Sequence, residues 1–199
     1  MDDLSTWVTQ NILNGKHRFK TKSGEDYPDW DYVKLDDILN CSISKHDLKD
    51  IDNLQDKDNC KYPFYNRREI YKMVDFYDVS TPFIGLVLHG SPGYTQLYPA
   101  YGSINSTGAY LTLKKEDVDI VWVYAQIQTL NFDKYIQGST IKGIRWDDIK
   151  HHKIPIPSTE EMVKLSSFLQ CLGKYASLLE EELKLWKLLK KGMLQKMFL

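Results

Sequence analysis

Cysteine is scarce in this 199-residue chain, which contains only Cys41, Cys60 and Cys171. The three are widely separated and form neither a CxxC pair nor a cysteine and histidine cluster with the spacing of metal ligands. The sequence therefore predicts no disulfide framework and no zinc site, and we expect a reducing compartment.

Long apolar runs are also absent. Residues 1–20 hold neither a continuous apolar segment nor a small-residue cleavage site, and no later run is long enough to cross a bilayer. These absences argue against a secretory signal and a membrane-spanning helix. We therefore expect the protein in the cytoplasm.

Neither sign of charge is in excess, because 26 lysines and arginines face 27 aspartates and glutamates, for a net charge of -1. Such a chain has no global electrostatic attraction to a polyanion. DNA-binding proteins that act alone are usually basic throughout. Any role with nucleic acid must therefore come from a local basic face.

Motifs that carry chemistry on nucleotides or DNA are missing. There is no GxxxxGK[ST] loop and no GxGxxG, which argues against an ATP-driven translocase. The string most similar to the Asn-Pro-Pro-Tyr tetrapeptide of amino-methyltransferases, residues 91–94 (SPGY), lacks the amide that would hold an extruded base. No GxSxG elbow is present either. We therefore expect no catalytic methyl transfer in this chain.

Two DxK triplets, at residues 47–49 and 148–150, would fit a fragment of a nuclease site, but such triplets arise easily in a chain with 27% charged residues. Neither lies in a clear strand beside a partner acid. His151 and His152 are adjacent, so in a strand they face opposite sides and cannot easily chelate one ion. The chain is accordingly predicted to be non-catalytic and to hold no metal.

What the chain does contain, between residues 62 and 113, is a series of short apolar and aromatic runs interrupted by proline and glycine. Residues 83–88, 95–98 and 109–113 are predicted as strands of a β-rich core. Residues 119–130 predict a deeply buried helix, because they are apolar almost all round.

The region before this core is more polar. Apolar residues at helical spacing predict a short amphipathic helix over residues 3–14, which ends at Asn14 and Gly15. Residues 30–40 are predicted as a strand or turn that leads into a short element. Residues 41–61, rich in Asp, Asn and Lys, fit either a solvated helix or a loop.

The last segment predicts one long helix after Ile154–Pro157, which cannot continue a helix. Ser158 and Thr159 can serve as its N-cap, and Glu160 and Glu161 are favourable in its first turn. The helix carries a heptad seam, whose positions are Leu165, Leu169, Leu172, Ala176, Leu179, Leu183, Trp186, Lys190, Met193 and Met197.

A helix of roughly 40 residues is on the order of 60 Å long, which exceeds the width of a domain of this size. Much of its apolar seam must then be covered from outside the core. A coiled-coil partner helix is the favoured interpretation. A helix folded back across its own domain is the alternative.

Several short motifs occur in a characteristic order. Arg18-Phe19, Trp30 and residues 35–38 (LDDI) come first, and they resemble the opening of a target-recognition domain in type I restriction-modification specificity subunits. Three later features resemble the body of that domain. They are residues 62–65 (YPFY), glycine turns at Gly90 and Gly93, and residues 138–144 (GSTIKGI).

The end of the chain carries the most specific part of the resemblance. Residues 154–157 (IPIP), Glu160-Glu161 and residues 188–198 (LLKKGMLQKMF) resemble the central helical region of the family. One departure is visible, because family members usually carry a Glu-Gln pair after the proline motif and here Glu161 is followed by Met162.

The resemblance implies a DNA specificity subunit of half length. Its fold would be an α/β (α+β) target-recognition domain with a β-rich core over residues 1–157. A long helix over residues 158–199 would follow and form an antiparallel coiled coil. Specificity subunits generally carry two of each unit, so a homodimer that reads a palindromic split site is implied.

The resemblance also implies partners and an absence of cofactors in this chain. Methyltransferase subunits would dock on the helical region and bind S-adenosylmethionine, and a restriction and translocase subunit would join where cleavage occurs. Two alternatives to this function stay open. The chain could be a truncated or silent specificity cassette, or it could be a coiled-coil interaction module without DNA binding.

Three segments offer side chains for contacts with bases and phosphates. Residues 65–68 carry two guanidinium groups, residues 94–98 and 101–107 carry amides and hydroxyls near glycines, and Lys142 offers a phosphate contact. The candidate DNA-binding residues are Asn66, Arg67, Arg68, Tyr94, Gln96, Tyr98, Ser103, Asn105, Ser106 and Lys142. In the alternative interpretation, the arginines pair with nearby acids such as Glu69 and the tyrosines only pack in the core.

Overall fold

The computed structural model describes residues 7–8, 11–55, 60–139 and 142–197. Its strands are β1 (Asp31–Lys34), β2 (Leu39–Ile43), β3 (Tyr62–Asn66), β4 (Glu69–Val74), β5 (Phe83–Val87), β6 (Thr95–Tyr98), β7 (Ser103–Ile104), β8 (Gly108–Leu113) and β9 (Lys153–Ile156). Its helices are α1 (Leu35–Ile38), α2 (Leu48–Asp52), α3 (Ile120–Gln128), α4 (Trp146–Ile149) and α5 (Thr159–Met197), with a 3-10 helix at Phe132–Tyr135.

The main sheet has the antiparallel strand order β2-β8-β5-β6. Successive side chains of β5 point to opposite faces, as in any strand. Ile84 and Leu86 belong to the larger core together with Trp122 of α3. Phe83 belongs to a second, largely aromatic core that includes Tyr98. Because β5 is buried on both faces, its sequence is a continuous apolar run.

A smaller sheet has the strand order β4-β3-β7. Strands β3 and β4 form an antiparallel hairpin, and Arg67 and Arg68 make its turn. Strand β7 pairs in parallel with β3, which places Tyr65 beside Ile104. This pairing brings the end of β3 to the loop that follows β7.

Strand β9 pairs with β1 and leads into α5, whose start is fixed by the completely buried carboxylate of Glu161. Arg18 donates two hydrogen bonds to this carboxylate, at 3.0 and 2.7 Å, and the Trp30 indole donates a third at 2.8 Å. The hydrogen bond with Glu161 raises the pKa of Arg18 above its ordinary value. Met162 and Leu165 pack into the larger core, so the domain holds the first turns of α5 rigidly.

The predicted fold class is confirmed, because a mixed α/β domain with a β-rich core precedes a long C-terminal helix. The strands predicted at 83–88, 95–98 and 109–113 correspond to β5, β6 and β8, with bounds that differ by at most one residue. The helix predicted at 119–130 corresponds to α3, and the long helix to α5. The pairing of α5 with a second helix remains a prediction.

Other expectations need correction or completion. The hairpin of β3 and β4 and the strand β9 were not predicted. Residues 41–61 were predicted as a solvated helix or a loop, but they contain the end of β2 and the helix α2. Ser158 precedes α5 as expected, but its buried hydroxyl has no hydrogen-bond partner among the described residues, so the side-chain cap is not formed.

The predicted N-terminal helix is only partly described. Trp7, Val8 and Asn11 are helical, whereas residues 3–6 and 9–10 of that prediction lie outside the described ranges. Within those ranges, no helix combines the length and the apolar character needed to cross a membrane.

Candidate nucleic-acid interface

The two arginines predicted to contact DNA are exposed in the turn between β3 and β4. Arg67 has a φ of 58°, in the left-handed region that costs a side-chain-bearing residue about 1 kcal/mol. Two contacts hold it there. The Tyr98 hydroxyl donates to the Arg67 carbonyl oxygen, and the Arg67 guanidinium donates to the Ser91 hydroxyl at 2.8 Å. The turn is therefore fixed from two other segments of the chain.

A cleft of about 210 Å³ lies between this turn and the loops before β6 and before β8. The candidate DNA-binding residues that line it are Asn66, Arg67, Tyr94, Tyr98 and Asn105. Gly85 lines the cleft as well, and a Cβ atom there would lie 2.6 Å from the Tyr98 ring. The glycine thus allows Tyr98 to cross the sheet and reach the Arg67 turn.

Two asparagine amides meet at one wall of the cleft. The Asn105 amide nitrogen donates to the Asn66 side-chain oxygen at 3.0 Å. The Asn105 oxygen accepts from the Thr107 backbone nitrogen at 3.1 Å and also from the Thr107 hydroxyl. Asn66 and Asn105 are 39 residues apart in sequence, and the parallel pairing of β3 with β7 brings them together.

Tyrosine rings also line the cleft. The Tyr65 and Tyr98 rings lie 4.6 Å apart between centroids. Burial raises the pKa of both phenols above the ordinary value for tyrosine. Burial also raises the pKa of Tyr124, and the positive charge of Arg68 opposes this shift.

The remaining predicted contact residues lie outside the lining of the cleft. The Gln96 amide donates to the Leu97 carbonyl oxygen at 3.2 Å, and its oxygen accepts from the Tyr94 hydroxyl at 3.4 Å. Ser106 is half-buried, and its backbone nitrogen donates to the His46 carbonyl oxygen at 2.7 Å. Lys142 is exposed and adjoins Gly143.

Ser103 occupies a different environment from the other candidates. Its side chain is completely buried, and its hydroxyl accepts a hydrogen bond from the Asp78 backbone nitrogen at 3.0 Å. A side chain without exposed surface offers nothing to DNA, so its role in this structure is to hold the loop around β7.

Sequence reasoning missed several residues that line the cleft, among them Gly85, His89 and Ser91. Their positions depend on the pairing of strands that are distant in sequence, which no local pattern indicates. In the described part of the chain, no three His, Cys, Asp or Glu side chains are grouped as metal ligands.

The predicted seam of α5 divides into three parts. Leu165 is completely buried in its own domain and is not free to meet a partner helix, and Leu169 is half-buried against the same core. Farther along, Leu172, Ala176 and Leu179 line a groove of about 720 Å³ between α5 and α3. The seam residues beyond the groove are exposed, with exposed fractions of 43% for Leu183, 60% for Trp186 and 59% for Met193. The side chain of Met197 lies outside the described part of the structure.

The sequence matches one family model and the fold matches solved structures. The family model described as "Type I restriction modification DNA specificity domain" covers residues 27–185. No curated protein sequence matches the chain.

The crystal structure of a type I restriction-modification system S subunit from M. genitalium has a TM-score of 0.57 and 18% identity, over 83% of this chain and 43% of that one. The HsdS subunit from Thermoanaerobacter tengcongensis has a TM-score of 0.60 and 14% identity, over 90% and 46% of the two chains. At these identities the similarity concerns the fold alone. The present chain spans less than half the length of either structure.

Proposed function

The chain belongs to the family of type I restriction-modification DNA specificity domains, and we propose that it binds one half of a bipartite DNA target. It would thereby direct an adenine methyltransferase, and a restriction subunit where one is present, to that site. The observation that carries this proposal is the cleft, where three separate segments present amides, hydroxyls and an arginine together. These groups form hydrogen bonds with base edges and phosphates.

The hairpin of β3 and β4 supports an approach through the major groove. That groove is about 12 Å wide and admits a two-stranded β-ribbon. The turn of this ribbon carries Arg67 and Arg68, whose guanidinium groups donate to two acceptors at once. In the proposed complex, the turn enters the groove and the walls of the cleft meet the base edges beside it.

The near-neutral net charge of the chain supplies little electrostatic attraction to DNA, so other subunits must contribute to binding. We expect the methyltransferase subunits to supply part of the DNA grip and to bind S-adenosylmethionine, while this chain binds no cofactor and catalyses no reaction. The helix offers a surface for such subunits, because its exposed leucines extend beyond the predicted seam. These leucines are Leu178, Leu185, Leu188, Leu189 and Leu194.

We also propose that two copies of the chain pair through α5. In an antiparallel pair, the exposed seam residues beyond residue 180 of one copy meet the helix of the other, and two recognition domains lie at opposite ends. The apolar groove between α5 and α3 would continue this contact surface. A two-fold symmetric dimer of this kind reads a palindromic split site.

Sequencing of modified bases tests this function directly. Cells that carry the chain with a methyltransferase subunit of the same system are compared with cells from which the chain is deleted. We expect a split methylated motif that disappears on deletion, and a symmetric motif would support the homodimer. No motif beside an active methyltransferase would favour the interaction module or the silent cassette.

Binding measurements with purified protein add a residue-level test. For the double variant Arg67→Ala/Arg68→Ala, we expect at least tenfold weaker binding and a salt dependence reduced by about two charges, because each phosphate contact contributes roughly one. Lys34→Ala/Lys115→Ala is the matched control, since it removes two exposed charges away from the cleft. Equal effects of both variants would argue against the cleft as the binding site.

A further inference from the structure

The orientation of the Asn105 amide is determined by its neighbours. A backbone N–H can only donate, so the side-chain atom of Asn105 that faces the Thr107 nitrogen at 3.1 Å must be the oxygen. The amide nitrogen of Asn105 then faces the other way, toward Asn66. The usual ambiguity between the oxygen and nitrogen of an amide is therefore removed at this position.

The orientation of Asn66 follows from that of Asn105. Because the Asn105 nitrogen donates at 3.0 Å, the atom of Asn66 that receives the bond is its oxygen. The amide nitrogen of Asn66 points away from Asn105, and both of its N–H groups lack a side-chain or backbone acceptor among the described residues. Asn66 is half-buried, ends β3 and lines the cleft beside Arg67.

We propose that Asn66 reads an adenine of the half-site, an inference that rests on the proposed function. The edge that Asn66 presents has a donor nitrogen beside an oxygen whose second lone pair is free. Adenine offers the complementary pair in the major groove, an acceptor at N7 and a donor at the N6 amino group. Guanine offers acceptors at both positions, and cytosine offers only a donor.

Asn105 is the positioning residue in this arrangement. Its oxygen is occupied by the two donors of Thr107, and its nitrogen is engaged by Asn66. It acts on the DNA only through the direction in which it holds the Asn66 amide. A change at Asn105 should therefore alter which base is preferred, although Asn105 does not touch that base.

The test selects bound duplexes from a library with a randomised half-site, with the full chain in complex with its methyltransferase subunits. Asn66→Asp keeps the bond from Asn105 but replaces the outward donor with an acceptor. Asn105→Asp leaves the bond from Thr107 but removes the donor to Asn66, so the Asn66 amide turns over and presents its oxygen. Asn40→Asp makes the same change of charge at an exposed position of β2.

At one position where the wild-type motif has adenine, we expect the preference for adenine over cytosine to fall by about tenfold in both cleft variants. The other positions of the motif should be selected as before. The Asn40 variant should select the wild-type motif. If the cleft variants select an unchanged motif, or if the affected position is not an adenine, the assignment of Asn66 is overturned while the proposed function stands. If no chain selects any motif, the proposed function itself fails.

Thermal unfolding separates a change in base reading from a loss of structure. Both aspartate variants keep an acceptor that satisfies the neighbouring donor, so we expect unfolding temperatures within a few degrees of the wild type. A general collapse of the loop would lower the affinity for every sequence equally. A changed base preference at one position cannot arise in that way.

Discussion

Arg67 combines an unfavourable backbone conformation with a side chain proposed to contact DNA. Strain of this kind persists only where the surroundings enforce it. Here the Tyr98 hydroxyl and Ser91 hold the residue in place, and Gly85 leaves room for the Tyr98 ring. Glycine would adopt this conformation without strain, whereas arginine supplies the guanidinium group that is proposed to contact DNA.

For Arg67→Gly we expect the free energy of unfolding to change by less than about 1 kcal/mol, while DNA binding weakens at least tenfold. Glycine relieves the left-handed strain but loses the bond to Ser91 and makes the unfolded chain more flexible. Urea unfolding and a binding titration measure the two quantities. Arg68→Gly is the control, since Arg68 is not left-handed and glycine there should cost about 1 kcal/mol. A destabilisation of Arg67→Gly beyond that of the control would contradict this account.

Side-chain chemistry in turn-rich segments predicted five of the fifteen residues that line the cleft. It could not distinguish Ser103 from Asn105, because both belong to one polar loop and only the packing buries the serine. It could not pair Asn66 with Asn105 either. Their contact depends on the parallel pairing of β3 with β7, for which two short strands leave no periodic signal.

The start of α5 depends on the contact at Glu161. We expect Glu161→Ala to lower the free energy of unfolding by about 3 kcal/mol, because it leaves the Trp30 indole without its acceptor and the Arg18 guanidinium with the Pro28 carbonyl oxygen in place of a carboxylate. The neighbouring Glu160 is exposed and accepts a hydrogen bond from the Tyr27 hydroxyl at 3.0 Å. Glu160→Ala should therefore cost less than about 1 kcal/mol. A similar loss in the free energy of unfolding for the two variants, measured by urea unfolding, would show that Glu161 does not fix the start of α5.

The sequence predicted elements best where one pattern runs without interruption. Strand β5 is apolar on both faces, and α5 contains no proline over its 39 residues. The hairpin of β3 and β4 was missed for a physical reason. Pro63 lies within β3, where proline usually argues against a strand, and β4 exposes Ile70 and Met73, so its apolar residues do not mark a buried face.

At the scale of the whole molecule, the exposed part of α5 predicts a concentration-dependent dimer. Trp186→Glu/Met193→Glu places two charges in the proposed contact, and we expect it to convert dimers to monomers in sedimentation experiments. Lys184→Glu/Lys187→Glu changes charge at positions outside the seam and should leave the dimer intact. A wild-type chain that remains monomeric at all concentrations would contradict the pairing.

The contact at Glu161 also affects the position of the C-terminal end of α5 relative to the domain. At about 1.5 Å per residue, the 39 residues of the helix span about 58 Å, and the domain contacts the helix near its N-terminal end. A rotation of about five degrees at the anchor moves the other end by about 5 Å, more than the 3.4 Å step between base pairs. Arg18 and Trp30 lie far from the Arg67 turn in sequence. In the proposed dimer, their contacts with one carboxylate would nevertheless decide whether the second recognition domain meets its half-site in register.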